Sequence, residues 1–229
     1  MNQTDLIILV VYLLVITYVI YQAINSLEAQ TIIRFDRAAL EQVLKQEKIA
    51  DISLNNFIDI SFSTQGRFKF SEQPATLGAI IQNRSNTATV TIDWDNSSIT
   101  NHIGRVRRVI RLVPNLQPSD LSEPQVKSTI PPSRSLQVTL VPEDILKPND
   151  DKTGVVPKGA IVSMAEVEKD KGTYAKFIDR QTALQFTLRL LFQIINVTDG
   201  AKREYWCFVP CTFVIEKIPL MDYLPWNPR

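Results

Sequence analysis

The amino-acid sequence predicts a mainly β protein, an antiparallel β-sandwich tethered by one N-terminal transmembrane helix. Three observations carry that prediction. Leu6 to Ile24, "LIILVVYLLVITYVIYQAI", is nineteen residues without a charge. From Phe57 onward the apolar residues recur with a period of two. Late in the chain, Asp199-Gly200 separates two long alternating runs. That dipeptide is a strong hairpin signal, because a type I′ turn needs positive φ at both central positions.

The anchor comes first, over residues 1–25. A helix of about 20 residues spans the roughly 30 Å hydrocarbon core. Tyr12, Tyr18 and Tyr21 are tolerable there, and Tyr21 suits an interface. A cleaved signal peptide wants Lys or Arg before its apolar run and small residues at a cut site. Only Asp5 precedes this run and no A-x-A follows, so the reading is a retained single-pass anchor. A buried helix of a soluble domain is the alternative. Arg34 and Arg37 follow the span closely, which favours a cytoplasmic soluble domain over an extracytoplasmic one.

All 25 Lys and Arg lie beyond residue 30, against 24 Asp and Glu of which Asp5 and Glu28 precede it. The excess is too small for a general nucleic-acid binder. Two cysteines in 229 residues do not make a disulfide scaffold.

Residues 26–54 read as a linker with a short helix. Asp36 is placed to cap a helix through Gln46, with Ala39, Leu40, Val43 and Leu44 on one side. That helix either packs on the domain or continues the membrane helix outward as a stalk. Residues 55–218 read as the β-sandwich domain. "FIDISFS", "RFKFS", "ATLGAIIQN", "ATVTIDW", "RVRRVIRLV" and "SLQVTLV" are candidate strands. In "ATVTIDW", Val90, Ile92 and Trp94 face one way, and Thr89, Thr91, Asp93 and Asp95 the other. Long loops fall at 113–134 and 142–176, the second with a possible hairpin at "VVPKGAIV". Residues 219–229 form a proline-rich tail.

Taking Asp199-Gly200 as a two-residue turn fixes the final hairpin. Ile194 faces Tyr205, Phe192 faces Cys207, Leu190 faces Val209, Leu188 faces Cys211, Phe186 faces Phe213 and Leu184 faces Ile215. All six pairs are apolar, and a slip of one residue would turn one strand's set to the other side. Both cysteines then belong to a core face. Four residues apart in a strand they are about 13 Å apart, whereas a disulfide needs Cα atoms within about 7 Å. Two cysteines with one distant histidine, His102, also fall short of a structural zinc site. The expectation is buried, unreactive thiols. The alternative has Pro210 breaking the strand and bringing the sulfurs together.

The outward face of the same hairpin carries Leu191 opposite Phe208 and Gln193 opposite Trp206. Leu191, Trp206 and Phe208 are candidate protein contacts, or are covered by a loop or the linker helix. The tail residues Tyr223, Leu224 and Trp226 either strap across the domain or enter a partner groove. Arg105, Arg107, Arg108 and Arg111 form a basic cluster. It either meets anionic lipid at the membrane surface or is a solvated strand edge that resists aggregation. His102 lacks an identifiable nucleophile or orienting partner. Asp93, Asp95 and Asn96 lack the glycine and terminal glutamate of a calcium loop. No phosphate-binding loop, dinucleotide fingerprint, zinc-protease or nucleophile-elbow motif is present.

The functional expectation is therefore a non-enzymatic interaction or scaffold module, or an accessory subunit. It needs no cofactor or metal, sits on the bilayer, and binds a membrane-protein partner. The alternative is a carrier of lipid or another apolar small molecule in a cavity between the sheets. An enzyme using His102 or the cysteines is a third reading.

The run "IQNRSNTATVTIDWDNSSITNHIGRVRRVI" followed by "STIPPSRSLQVTLVP" resembles an uncharacterised domain of bacterial envelope lipoproteins. In that family a strand ends in a W-D-x-S-S turn, a Gly and R-V-I follow, and an I-P-P loop precedes a strand ending in Pro. Here those positions are Trp94, Asp95, Ser97, Ser98, Gly104, Arg108, Val109, Ile110, Ile130, Pro131, Pro132 and Pro142. The resemblance covers roughly residues 57–216. It implies an immunoglobulin-like β-sandwich, no catalytic residues, and an extracytoplasmic setting, opposite to the charge argument. The chain departs from the family in having a membrane helix and no lipidated N-terminal cysteine.

Overall fold

Helix α1, Gln3–Glu28, leaves the apolar side chains from Leu6 to Tyr21 exposed, Ile16 alone among them being intermediate. Its stretch Asp5–Ala23 is long and apolar enough to cross a membrane, and none of it is buried against the rest of the chain. Apolar surface of that length with no protein cover is what a bilayer accommodates. The computed structural model describes residues 3–28, 30–49, 51–64, 66–151, 153–198 and 201–219.

Strand β1 (Gln30–Phe35) follows at once, then helix α2 (Arg37–Gln46) and the short strands β2 (Lys48–Ile49) and β3 (Ile52–Ser53). The domain continues with β4 (Ile58–Phe62), β5 (Gly66–Lys69), β6 (Leu77–Asn83), β7 (Thr89–Thr100), β8 (Val106–Leu112), β9 (Ser128–Ile130) and β10 (Ser135–Pro142). After these come β11 (Leu146–Pro148), β12 (Val155–Pro157), α3 (Met164–Lys169), α4 (Lys171–Ile178), β13 (Leu184–Thr198) and β14 (Ala201–Lys217).

One antiparallel sheet runs in the order β4-β6-β10-β8-β7-β13-β14-β1-β5, with β9 against β7. It is open and curled, a half-barrel. Strand β8 is the pivot. Its first residues, Val106–Arg108, pair with β7, and its last, Val109–Leu112, pair with β10. The two wings thus fold toward one another and bury a shared core. Ile58, Ile60, Phe62, Leu77, Ala79 and Ile81 come from one wing, and Val90, Ile92, Trp94, Phe186, Phe192 and Phe213 from the other. Each large apolar side chain so buried contributes about 1.5–3 kcal/mol. Phe213 joins the wings directly. Its ring stacks on Phe186 at 4.6 Å and meets Phe62 of β4 edge-on at 4.8 Å and Phe35 of β1 at 5.3 Å.

The outermost strands of the sheet, β4 and β5, are consecutive in sequence, with only residues 63–65 between them. Ser63 N–H donates to the Gly78 carbonyl, and Gly78 N–H donates to Thr64 Oγ1 at 2.8 Å. A Cβ on Gly78 would collide with Ser63 Oγ, so a side chain there would require the Ser63 hydroxyl to turn away.

Helix α2 forms where the sequence places it. Asp36 Oδ1 accepts from Ala39 N–H at 2.9 Å, and Leu40 and Leu44 are buried. Ahead of it the structure adds something the sequence reading lacked. Residues 30–35 are not linker but a sheet strand, paired with β14 on one side and β5 on the other. The segment 142–176 also differs from a simple loop. Val155–Pro157 pairs with Leu146–Pro148 rather than closing a hairpin inside "VVPKGAIV". Two short helices follow, and they bury Val167 and Phe177 completely.

Candidate functional site

The β13–β14 hairpin has the register read from the sequence. Thr198 pairs with Ala201, Phe192 with Cys207, Leu188 with Cys211 and Leu184 with Ile215. Asp199 and Gly200 themselves lie outside the described residues. Pro210 does not break the strand but pairs with Arg189. Cys211 is buried and Cys207 half-buried, and neither is bonded to another sulfur. Burial pushes the Cys207 thiol up to about 12, with the negative charge of Glu47 adding to it. Burial pushes Cys211 further still, against a small opposing effect of Arg37. A reactive thiol needs a depressed value; these are raised.

Native protein at pH 8 is accordingly expected to react with a thiol reagent at least 100-fold more slowly than urea-unfolded protein, which would take up two equivalents. Raised folded values also set the sign of the pH dependence. The stabilisation from burying neutral thiols is complete below about pH 8.5 and is lost as the pH climbs toward the folded values. Native-state labelling as fast as unfolded labelling would place the sulfurs on the surface.

The outward face of β14 presents Trp206 and Phe208, 48% and 41% exposed. Their rings are not bare. The Arg189 guanidinium lies 3.8 Å over the Phe208 ring, and Lys127 Nζ lies 5.1 Å over Trp206. Trp206 Nε1 donates to Glu204 Oε1 at 2.9 Å, and Gln193 Nε2 donates to the same oxygen. Cation–π contacts at exposed sites are worth about 0.5–1 kcal/mol each and hold the rings in place. Leu191, opposite Phe208 on one side and Asp93 on the other, is less open than the rings at 8% exposure.

A groove of about 530 Å³ runs beside these rings. It is lined by Val43, Gln46 and Glu47 of α2 and by Arg189, Leu191, Trp206, Cys207, Phe208 and Pro210 of the hairpin. It exists because β1 stops at Phe35, opposite Phe213, and α2 continues alongside β14 in its place. Asp36 N–H takes the Thr212 carbonyl at 2.9 Å, the last backbone bond on that edge before the groove.

The basic cluster is largely tied down. Arg107 is buried, with Nη1 3.4 Å from Asp144 Oδ1 and Nη2 donating to the Ile161 carbonyl. Arg108 holds Asp95 at 2.5 Å, Glu143 at 3.5 Å and the Leu121 carbonyl at 2.8 Å. Arg105 reaches Asp144 at 3.7 Å. Arg111 gives its backbone N–H to Gln125 Oε1 at 2.9 Å. Three carboxylates, Asp95, Glu143 and Asp144, therefore face the guanidinium groups of Arg105, Arg107 and Arg108, and these pairs staple the long loops to the start of β8.

The sequence reading missed a polar knot in β7. Its pairing with β13 shifts register between Arg189 and Leu191, opposite Ser98 and Asp93, so residues 94–97 bulge. Trp94 points into the core and donates Nε1–H to Ser128 Oγ at 2.9 Å. Ser97 Oγ donates to the Asp93 carbonyl and accepts from Leu191 N–H. Asp95 accepts from Arg108 and from Gln125 N–H. Burial alone would raise the Asp93 carboxyl, but Lys127 and Asn96 donate to it and hold it below its ordinary value. The signal was present in "DWDN" followed by "RVRR", two acids and three arginines about ten residues apart.

His102 lies in the β7–β8 turn, and its Nδ1 is buried without a hydrogen-bond partner. Burial lowers its pKa, opposed by Glu166 and Asp170 and aided by Arg107. Among the described residues, no three His, Cys, Asp or Glu side chains converge as a metal site would require. Tyr223, Leu224 and Trp226 lie outside the described residues.

No known protein family matches the chain, and no curated protein matches it. Among solved structures it is similar to the crystal structure of a protein from Archaeoglobus fulgidus, at 6% identity over 69% of this chain and 94% of that one. The TM-score is 0.24, and a likeness that slight carries no argument about fold or function. The chain is thus defined by its own architecture, a curled β domain with one helix fit to span a membrane.

Proposed function

We propose that this protein is a membrane-anchored, non-enzymatic interaction module that holds a membrane-protein partner against the outward face of β14. The observation that carries the reading is the exposed Trp206–Phe208 pair beside the groove between α2 and the hairpin. Aromatic side chains with cations stacked on them, next to a concave surface, resemble the anchors that dominate protein interfaces. Trp206 stands eleven residues along β14 from Lys217, about 36 Å at 3.3 Å per residue. That separation from the anchored end favours a protein partner over lipid at this site. Tethering raises the local concentration of the module, so modest contacts suffice.

Trp206→Ala combined with Phe208→Ala is expected to weaken capture of the partner at least 10-fold in crosslinked membranes, while the domain's unfolding free energy changes by under about 1 kcal/mol. Unchanged capture would defeat the reading. We also read the half-barrel as a variant of the immunoglobulin-like sandwich. The support is the pivot of β8 between two wings and the bonds that residues of the resemblance make at the β7 bulge, Trp94 to Ser128, Asp95 to Arg108 and Ser97 to the Asp93 carbonyl. The domain is placed in the cytoplasm on the strength of Arg34 and Arg37. Protease treatment of sealed vesicles of known orientation tests that side directly.

A further inference from the structure

We infer that the β7–β8 turn, residues 101–106, is a second membrane contact, an apolar foot that rests in the interface of the bilayer crossed by α1. The first ground is position. The apolar span ends at Ala23, and β1 begins at Gln30. Five helical steps to Glu28 and two more residues place Gln30 within about 15 Å of the end of the span. At this root, β1 begins beside the last residues of β14, with Thr31 opposite Lys217 and Ile218 N–H on the Gln30 carbonyl at 3.3 Å. Because every pairing is antiparallel, β13 begins at this same end, β7 ends there and β8 begins there. Thr100 pairs with Thr187, which pairs with Thr212, five residues or about 16 Å short of Lys217. The turn continues from Thr100 toward the root and makes up much of that difference.

The second ground is chemistry. Ile103, in the five-residue connection, and Val106, the first residue of β8, are each 65% exposed, two apolar side chains presented together at one end of the sheet. Between them Arg105 is also largely exposed, a side chain that can lay its stem on apolar surface and keep its charge in the headgroups. The third ground is rigidity. Asn101 Oδ1 accepts from Ile103 N–H at 3.2 Å and Arg105 N–H at 2.8 Å, and Gly104 supplies the φ of +81° the turn requires. A foot held in one shape loses little freedom on contact. Charge is not the driver. Arg105 faces Asp144, and Glu166 and Asp170 lie close enough to act on His102. The surface recognised is therefore the lipid interface itself, and zwitterionic phosphatidylcholine is enough.

The test uses the full chain reconstituted in phosphatidylcholine vesicles, with an environment-sensitive fluorophore on Ile103→Cys and, in a second preparation, on Val126→Cys. Val126 is 76% exposed and follows Gln125, which bonds Arg111 five residues along β8 from the turn. The unmodified chain serves as the labelling blank. Brominated lipid is expected to quench the label at 103 at least twofold, in 0.05 M and 0.5 M salt alike, and to leave the label at 126 unchanged. Equal quenching at the two positions, none at 103, or quenching at 103 that vanishes in high salt would each overturn the inference. Partner capture through Trp206 is not read by this assay, so its failure would be seen separately.

Discussion

Phe213→Ala is expected to lower the unfolding free energy of the domain by about 3–5 kcal/mol. The ring is fully buried and touches three parts of the sheet that are far apart in sequence. It stacks on its cross-strand neighbour Phe186 with planes only 2° apart, and its edges meet Phe62 and Phe35. Removing it opens a cavity where the two wings meet, and the neighbouring aromatics are held by their own strands and cannot collapse into it. Phe213→Leu keeps most of the volume and should cost about 1–2 kcal/mol. Urea titration of the full chain in a bilayer mimic, followed by Trp94 fluorescence, gives both numbers. A loss below 1 kcal/mol for the alanine variant would mean that the wings do not share a core.

The second large effect is at Trp94. Its side chain is completely buried and anchors the bulge of β7 to β9 through Ser128. Trp94→Ala should also cost about 3–5 kcal/mol. Trp94→Phe separates packing from bonding. It retains a large ring but strands the Ser128 hydroxyl in a buried place, at about 1–2 kcal/mol. Replacing Ser128 by Ala in the Trp94→Phe background should recover part of that loss. If the double variant is no more stable than the single one, the bond from Trp94 to Ser128 does not contribute.

The parts of this fold that could be read in the sequence are those whose signal is local and long. The apolar helix, the Asp36 cap and the hairpin register each rest on many residues agreeing over one stretch. Strand β1 escaped because "QTIIRF" offers only six residues, wedged between two helical patterns, and its period of two is visible only once its partners are known. Helices α3 and α4 are six and eight residues long, too short for a helical period to declare itself, and they are held by burying Val167 and Phe177. The site shows the same division. Trp206 and Phe208 follow from alternation in β14, whereas the groove beside them needs α2, 160 residues earlier, to lie next to the strand. The basic cluster looked like free charge because its acids, Asp95, Glu143 and Asp144, come from other segments.

The three-residue link between β4 and β5 has a mechanical consequence. It ties together the two hems of the rolled sheet, and four Cα steps limit their separation there to about 14 Å. The roll cannot be laid flat unless one border strand is first peeled off, so the curl is fixed by the chain itself as well as by the core it encloses.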